Sequence, residues 1–165
     1  MALTRINNQA LPTVDSGKLP SGTVLQVVQS TSTTQKIIES TSFVDSGLSA
    51  TITPTSTSNK ILVIASRIVT NYQTGNAAIT KYLNLVRDST EIMEKAGTSA
   101  GAASSTNYFY GVIDGNFTCL DSPNTTSAVT YKTQGRSSST ANNHDLVFND
   151  TAGSSSTMVL MEIAG

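Results

Sequence analysis

The chain is poor in charge. Asp, Glu, Lys and Arg make up 13% of it, against about a quarter in an ordinary soluble protein. With a net charge of −1 and a pI near 5.7, it has no basic field that could hold a phosphate backbone, which argues against a nucleic-acid partner. Histidine is nearly absent: His144 is the only one, so a metal centre with several imidazoles and any histidine-pair mechanism are excluded. Cysteine is represented by Cys119 alone. It can form no intrachain disulfide, and in an alternating apolar stretch it reads as a buried, inert thiol rather than a nucleophile. Tryptophan is missing and aromatics reach only 5%, which leaves little ring surface on which a sugar could stack. No apolar run approaches the roughly 20 residues of a membrane span, so no membrane partner is expected. The opening MALTRINNQALP lacks the apolar core of a secretory signal, which predicts synthesis in a cytoplasm.

What fills the space is Ser and Thr, between a quarter and a third of the 165 residues. Their side chains compete for backbone hydrogen bonds and disfavour helix interiors, while the branched Cβ of Thr suits strands. The length fits one domain with a real core. An all-β chain is expected: a single β-sandwich or jelly roll over residues 23–165, preceded by an extended N-terminal arm over residues 1–22. The arm carries spaced apolar residues, Leu3, Ile6, Leu11, Val14 and Leu19, without helical period, and Pro12 and Pro20 disfavour a helix. Such spacing suits docking along a partner, with order gained on binding.

From Thr23 onwards the pattern is of strands punctuated by turns. TVLQVVQ (23–29) and QKIIES (35–40) read as strands with STSTT as a loop between them, and Asp45-Ser46-Gly47 reads as a turn. LSATITP (48–54) alternates, with Leu48, Ala50 and Ile52 on one face. KILVIASRIVT (60–70) reads as one long strand whose apolar centre suits burial on both faces. ITKYLNLVRD (79–88) alternates and is answered across Asp88-Ser89 by STEIMEK, although a helix over 78–97 competes. Residues 96–107 and 136–144 read as surface loops. YFYGVIDGNFTCLD is a strand interrupted near Asp114-Gly115. SAVTYKTQG, DLVFND and STMVLMEIAG supply the rest, the last expected inside a sheet or an interface. Eight to ten strands at regular spacing signal a sandwich or jelly roll, between whose strand orders the spacing does not choose.

Catalytic signatures are missing. There is no G-x-S-x-G, and SGKLPSGT lacks the phosphate-cradling spacing of a P-loop. Asp114, Asp121, Glu91 and Glu94 are the only conceivable glycosidase carboxylates, and they fall on expected edges and turns where solvated charge is the common case. No enzyme, cofactor or metal is expected.

The segments LTRINNQAL, DSGKLPSGTVLQVVQ, TSFVDSGLSATITPTSTSNKILVIAS, FTCLDSPNTTSAVTYKTQG and TMVLMEIAG together resemble small virion proteins of tailed bacteriophages over nearly the whole chain. The resemblance implies a virion structural protein with a compact jelly-roll domain that assembles as a homotrimer. The resemblance does not say which virion component; the expectation is a capsid decoration or cement protein whose arm grips the major capsid protein or another virion protein, and the alternative is a short tail or head fibre whose loops meet a host surface receptor. A long fibre would need a repeat or coiled-coil shaft, which is absent, and this favours decoration.

Overall fold

The computed structural model describes residues 19–74, 79–99, 108–140, 145–150 and 153–165. Among the described residues there are twelve strands and no helix: β1 (Val24–Ser32), β2 (Lys36–Ile38), β3 (Val44–Ile52), β4 (Lys60–Ser66), β5 (Ile68–Thr74), β6 (Ile79–Arg87), β7 (Thr90–Ser99), β8 (Tyr108–Asp114), β9 (Phe117–Asp121), β10 (Val129–Ser137), β11 (Asp145–Phe148) and β12 (Ser156–Ile163). They pair antiparallel in three four-stranded sheets, ordered β1-β12-β4-β9, β2-β11-β5-β8 and β3-β10-β6-β7. We call them the β12, β11 and β10 sheets after an inner strand of each.

The first two sheets have the same order once β1 is joined to β2, β12 to β11, β4 to β5 and β9 to β8. They are one four-stranded layer broken across its middle, with all four strands interrupted. Counting each broken strand once, the described residues form eight strands in the orders 1-8-3-6 and 2-7-4-5, which is the jelly-roll arrangement of two Greek keys. The strand order that the sequence spacing left open is thereby resolved.

Alternation explains most of the layering. In β3, Leu48, Ala50 and Ile52 are buried and Ser49 and Thr51 exposed. β12 alternates along its length, putting Ser156, Met158, Leu160 and Glu162 inside, and it lies between β1 and β4, as its apolar sequence predicts. The core between the layers is built from Ile61, Val63, Ala65, Leu83, Leu85, Phe117, Tyr131, Phe148, Met158 and Leu160 with their neighbours. The helix alternative over 78–97 fails because β6 and β7 form a hairpin. Asp88 takes φ 52° at its turn, and its carboxylate accepts the Thr130 amide at 2.9 Å.

Several expectations are corrected. Asp45-Ser46-Gly47 is no turn but part of β3, where Gly47 at φ +83° coincides with a register shift against β10: the turn-forming glycine serves a β-bulge. Residues 60–70 are not one strand, because the chain changes sheet at Arg67. Burial on both faces of β4 is only half right, since Ile61, Val63 and Ala65 are buried whereas Leu62 and Ile64 on the other face are partly exposed. Strand β1 runs on through Ser32, so the loop expected at 30–34 shrinks to three residues. Residues 96–99 and 136–137, assigned to loops, end strands β7 and β10; residues 138–140 lie outside any strand, as expected, and 100–107 and 141–144, His144 included, lie outside the described residues. The count of eight to ten holds for strands traversing the fold and rises to twelve only because four of them break.

Small amides hold the break. The Asn116 side-chain oxygen accepts the Arg67 amide at 2.9 Å. Asn149, at φ 52°, donates to the carbonyls of Ser32 and Thr34 at 3.1 Å each and accepts from the Ser156 hydroxyl at 2.6 Å. These bonds replace ladder bonds where strands change direction, so the backbone groups there are not orphaned.

Candidate functional site

Of the arm residues Leu3, Ile6, Leu11, Val14 and Leu19, the first four lie outside the described residues. Leu19 is half-buried at the root of the arm. That root is tied to the end of β12: Gly22 donates to the Ala164 carbonyl at 2.9 Å, and Ala164 donates to the Thr23 carbonyl at 2.9 Å. Pro20 accepts the Thr23 amide across a turn whose third residue, Gly22, has φ +89°, the glycine position of a type II turn.

Beside this root lies the outer face of the β12 sheet. Register places Val27, Met161, Leu62 and Leu120 in one row across all four strands. Val159 and Ile64 form part of the next row, so the face is apolar across its centre. Val27 is 57% and Leu120 53% exposed, and the other four are partly exposed. The signal is present in the sequence as the uninterrupted runs ILVIA, read as buried on both faces, and MVLM, read as interior to a sheet or to an interface; the structure gives each one buried and one open face.

The opposite, inner face of the same sheet carries a buried carboxylate. Glu162 is 0% exposed and has no cationic partner among the described residues. Its Oε1 accepts from the Thr55 amide at 2.6 Å, the Thr55 hydroxyl at 2.8 Å and the Asn59 amide at 2.6 Å, and its Oε2 accepts from Gln26 at 2.6 Å. Burial pushes this carboxyl up, but the bonds from Asn59, Gln26 and Thr55 outweigh it, and the group sits below its ordinary 4.5. Gly165 donates to Asn59 at 3.1 Å. The cluster fastens the last strand to the 53–59 connection and has no room for chemistry.

Two buried cations stand deeper. Arg67, at the break, is 4% exposed, lies 4.1 Å over the Phe148 ring and donates to the Ser46 and Thr133 hydroxyls. Its Nε and Nη2 find no partner among the described residues, and burial lowers it to about 10. Lys81, 0% exposed, donates to Ser137 at 3.0 Å; burial lowers it to about 8 against the pull of Asp145.

A groove of about 480 Å³ opens between the edges β7 and β8, with Leu83, Gly97, Gly111 and Ile113 in its wall. Lys95 bridges its rim to Asp114 at 2.7 Å, and the buried Asn71 side-chain oxygen on its lining has no partner among the described residues.

The four candidate carboxylates are engaged separately. Asp121 accepts from Arg87 at 2.5 Å and from the Tyr131 hydroxyl at 2.7 Å, Asp114 is held by Lys95, and Glu91 accepts from Asn84 at 3.2 Å, while Glu94 lies along β7. Asp121, Asp114 and Glu91 each serve a structural contact of their own rather than a shared centre. Cys119 is half-buried against the core, where burial and Asp121 raise its thiol, in keeping with an inert group. Among the described residues no group of three or more His, Cys, Asp or Glu could hold a metal ion, and no helix is long and apolar enough to cross a membrane.

No family model and no curated protein matches the chain. Solved structures of a virus capsid protein do. VP2 of infectious bursal disease virus, in its subviral particle, is 14% identical with a TM-score of 0.39, over 85% of this chain and 33% of that one. The same virus's T13 particle gives 12% identity and a TM-score of 0.40, over 100% of this chain and 40% of that one. The chain therefore spans about a third to two-fifths of the length of those capsid chains.

Proposed function

We propose that this chain is a structural subunit of a virus particle, of the tailed-phage kind that its sequence resembles, and acts as a capsid decoration or cement protein. The observation that carries it is a jelly-roll domain with an apolar outer sheet face and an apolar-studded N-terminal segment rooted at that face's end. A surface dressed in hydroxyls rather than ions suits broad contact with neighbouring subunits, because little charge has to be desolvated when it is covered. The N-terminal segment, through Leu3, Ile6, Leu11, Val14 and Leu19, grips a neighbouring virion protein, and the domain bridges adjacent capsid subunits. No catalysis is part of this role: the buried ionic groups fasten strands to one another.

The test is electron microscopy of virions carrying a gold label on the C-terminus of this chain. Label spread over the head is the expected result, and particles without label would overturn a virion role. A second role, as a short tail or head fibre that meets a host receptor, is favoured by the β7–β8 groove, whose Asn71 oxygen is unpartnered among the described residues. Label confined to the tail or neck would establish that position instead.

A further inference from the structure

We infer that the outer face of the β12 sheet is the seat of the N-terminal segment, residues 1–18, of a second copy of this chain. The inference rests on the role as an assembling subunit and names the partner that the segment grips.

The face is apolar where it is flat. The row Val27, Met161, Leu62 and Leu120, with Val159 and Ile64 beside it, crosses all four strands, and both ends of the row stand more than half exposed in the single chain. With strands ~4.8 Å apart the row is about 14 Å wide, and the apolar area is roughly 350 Å². A stable dimer of rigid faces needs about 800 Å² from each partner. Two such faces laid together fall short, whereas a segment drawn across the face adds its own surface and backbone contacts to the same patch.

The length of chain ahead of Leu19 meets that need. Fully extended, residues 1–18 reach about 60 Å, some four times the width of the row, so there is ample length to cross the face and to span the gap between copies. The Gly22–Ala164 bonds fix the segment's root at the end of the same sheet. From that root the segment is long enough to reach the same face of a second copy, a heterologous contact that forms a ring where the rotation closes. Composition agrees: the segment supplies Leu3, Ile6, Leu11 and Val14 for the apolar row.

The test uses the full chain with a photo-crosslinking phenylalanine at Ile6, mixed from isotopically light and heavy preparations. Cross-links joining light and heavy chains, and mapping to β1, β4, β9 or β12, are the expected result. Cross-links confined to chains of one label would place the segment on its own domain and overturn the inference, as would mapping to any other strand. Sedimentation gives the second measurement. Leu120→Glu, an exposed change that spares the core, should weaken self-association at least tenfold with an unaltered circular dichroism spectrum; unchanged association would overturn the inference. Virion labelling is independent of both results: a chain found on the head that does not exchange segments defeats this inference alone.

Discussion

Replacing Glu162 with Gln removes one charge and almost no volume, so it isolates what the buried carboxylate contributes. An amide oxygen in the Oε1 position keeps its three donors, Thr55 N, Thr55 Oγ1 and Asn59 Nδ2. Each bond changes from charge-assisted to neutral, a loss of about 0.7–1 kcal/mol apiece. The amide nitrogen then faces Gln26 Nε2, donor against donor. Gln26 escapes only by turning its amide over, which breaks its bond to the Thr53 carbonyl at 2.8 Å, for about 1–2 kcal/mol more. The sum is about 3–5 kcal/mol, which lowers the melting temperature of a domain this size by roughly 10–15 °C. Thermal unfolding followed by circular dichroism at neutral pH measures it. The acid limb gives an independent check. The carboxyl is held below 4.5 in the fold, so its ionisation stabilises fully above the unfolded value, and the contribution is lost as pH falls through the lower folded value. The wild-type chain should lose this stability on acidification, and Glu162→Gln should lack that step. A variant as stable as wild type with the same acid slope would refute the idea that this cluster holds β12 in place.

Val63→Asp should abolish the cooperative melt, because Val63 is 0% exposed on the inner face of β4 and an unpaired buried charge costs several kcal/mol of the 5–15 that a domain possesses; an unchanged melting temperature would show that β4 is misplaced. Gly115→Ala should destabilise by about 1–3 kcal/mol, since a Cβ there would stand 2.6 Å from Val69 Cγ2 and 2.7 Å from Arg67 Cγ; urea midpoints check it, and a wild-type midpoint would mean the break relaxes freely. Lys81→Met should remove an alkaline stability rise. Lys81 falls from 10.5 to about 8 on folding, so between those values the unfolded chain binds a proton that the native chain has released and stability climbs with pH; a wild-type chain whose melting temperature is flat over that window would contradict the burial of this amine.

Much of the fold is legible as alternation. LSATI and STMVLMEI announce their buried faces residue by residue, and Tyr, Ile, Thr and Val in 79–88 decide against a helix before Asp88 makes the hairpin turn. What the sequence conceals is where a strand changes sheet. Arg67 interrupts an apolar run with a residue that ordinarily marks a surface, yet it turns inward over Phe148, and only the tertiary arrangement supplies the Ser46 and Thr133 hydroxyls that receive it. Gly47 misleads for the opposite reason, since a glycine at positive φ serves a bulge as well as a turn. The apolar outer face is hidden because ILVIA reads the same whether its second face meets a core or a neighbour.

The break across the layer and the open face of the β12 sheet are connected. A four-stranded layer that ran straight would twist progressively along its length and would not stay packed over the β10 sheet at both ends. Interrupting all four strands lets β11 and its neighbours turn toward Gly135, where Leu146 and Phe148 lie 3.0 Å from the position of a Cβ, so that a side chain there would press both of them back by a few tenths of an ångström. The cost falls on Arg67, whose Nε and Nη2 stay unpartnered among the described residues at the bend. The gain falls on the β12 half, where β1 and β12 pair from Gln26–Glu162 to Ser32–Ser156 without a shift, the one bulge lying between Val24 and Gln26. The unpartnered buried cation thus sits at the break, the buried Glu162 carboxylate lies toward the far end of β12 with its bonds satisfied, and the outer side of the β12 sheet presents the apolar row from Val27 to Leu120.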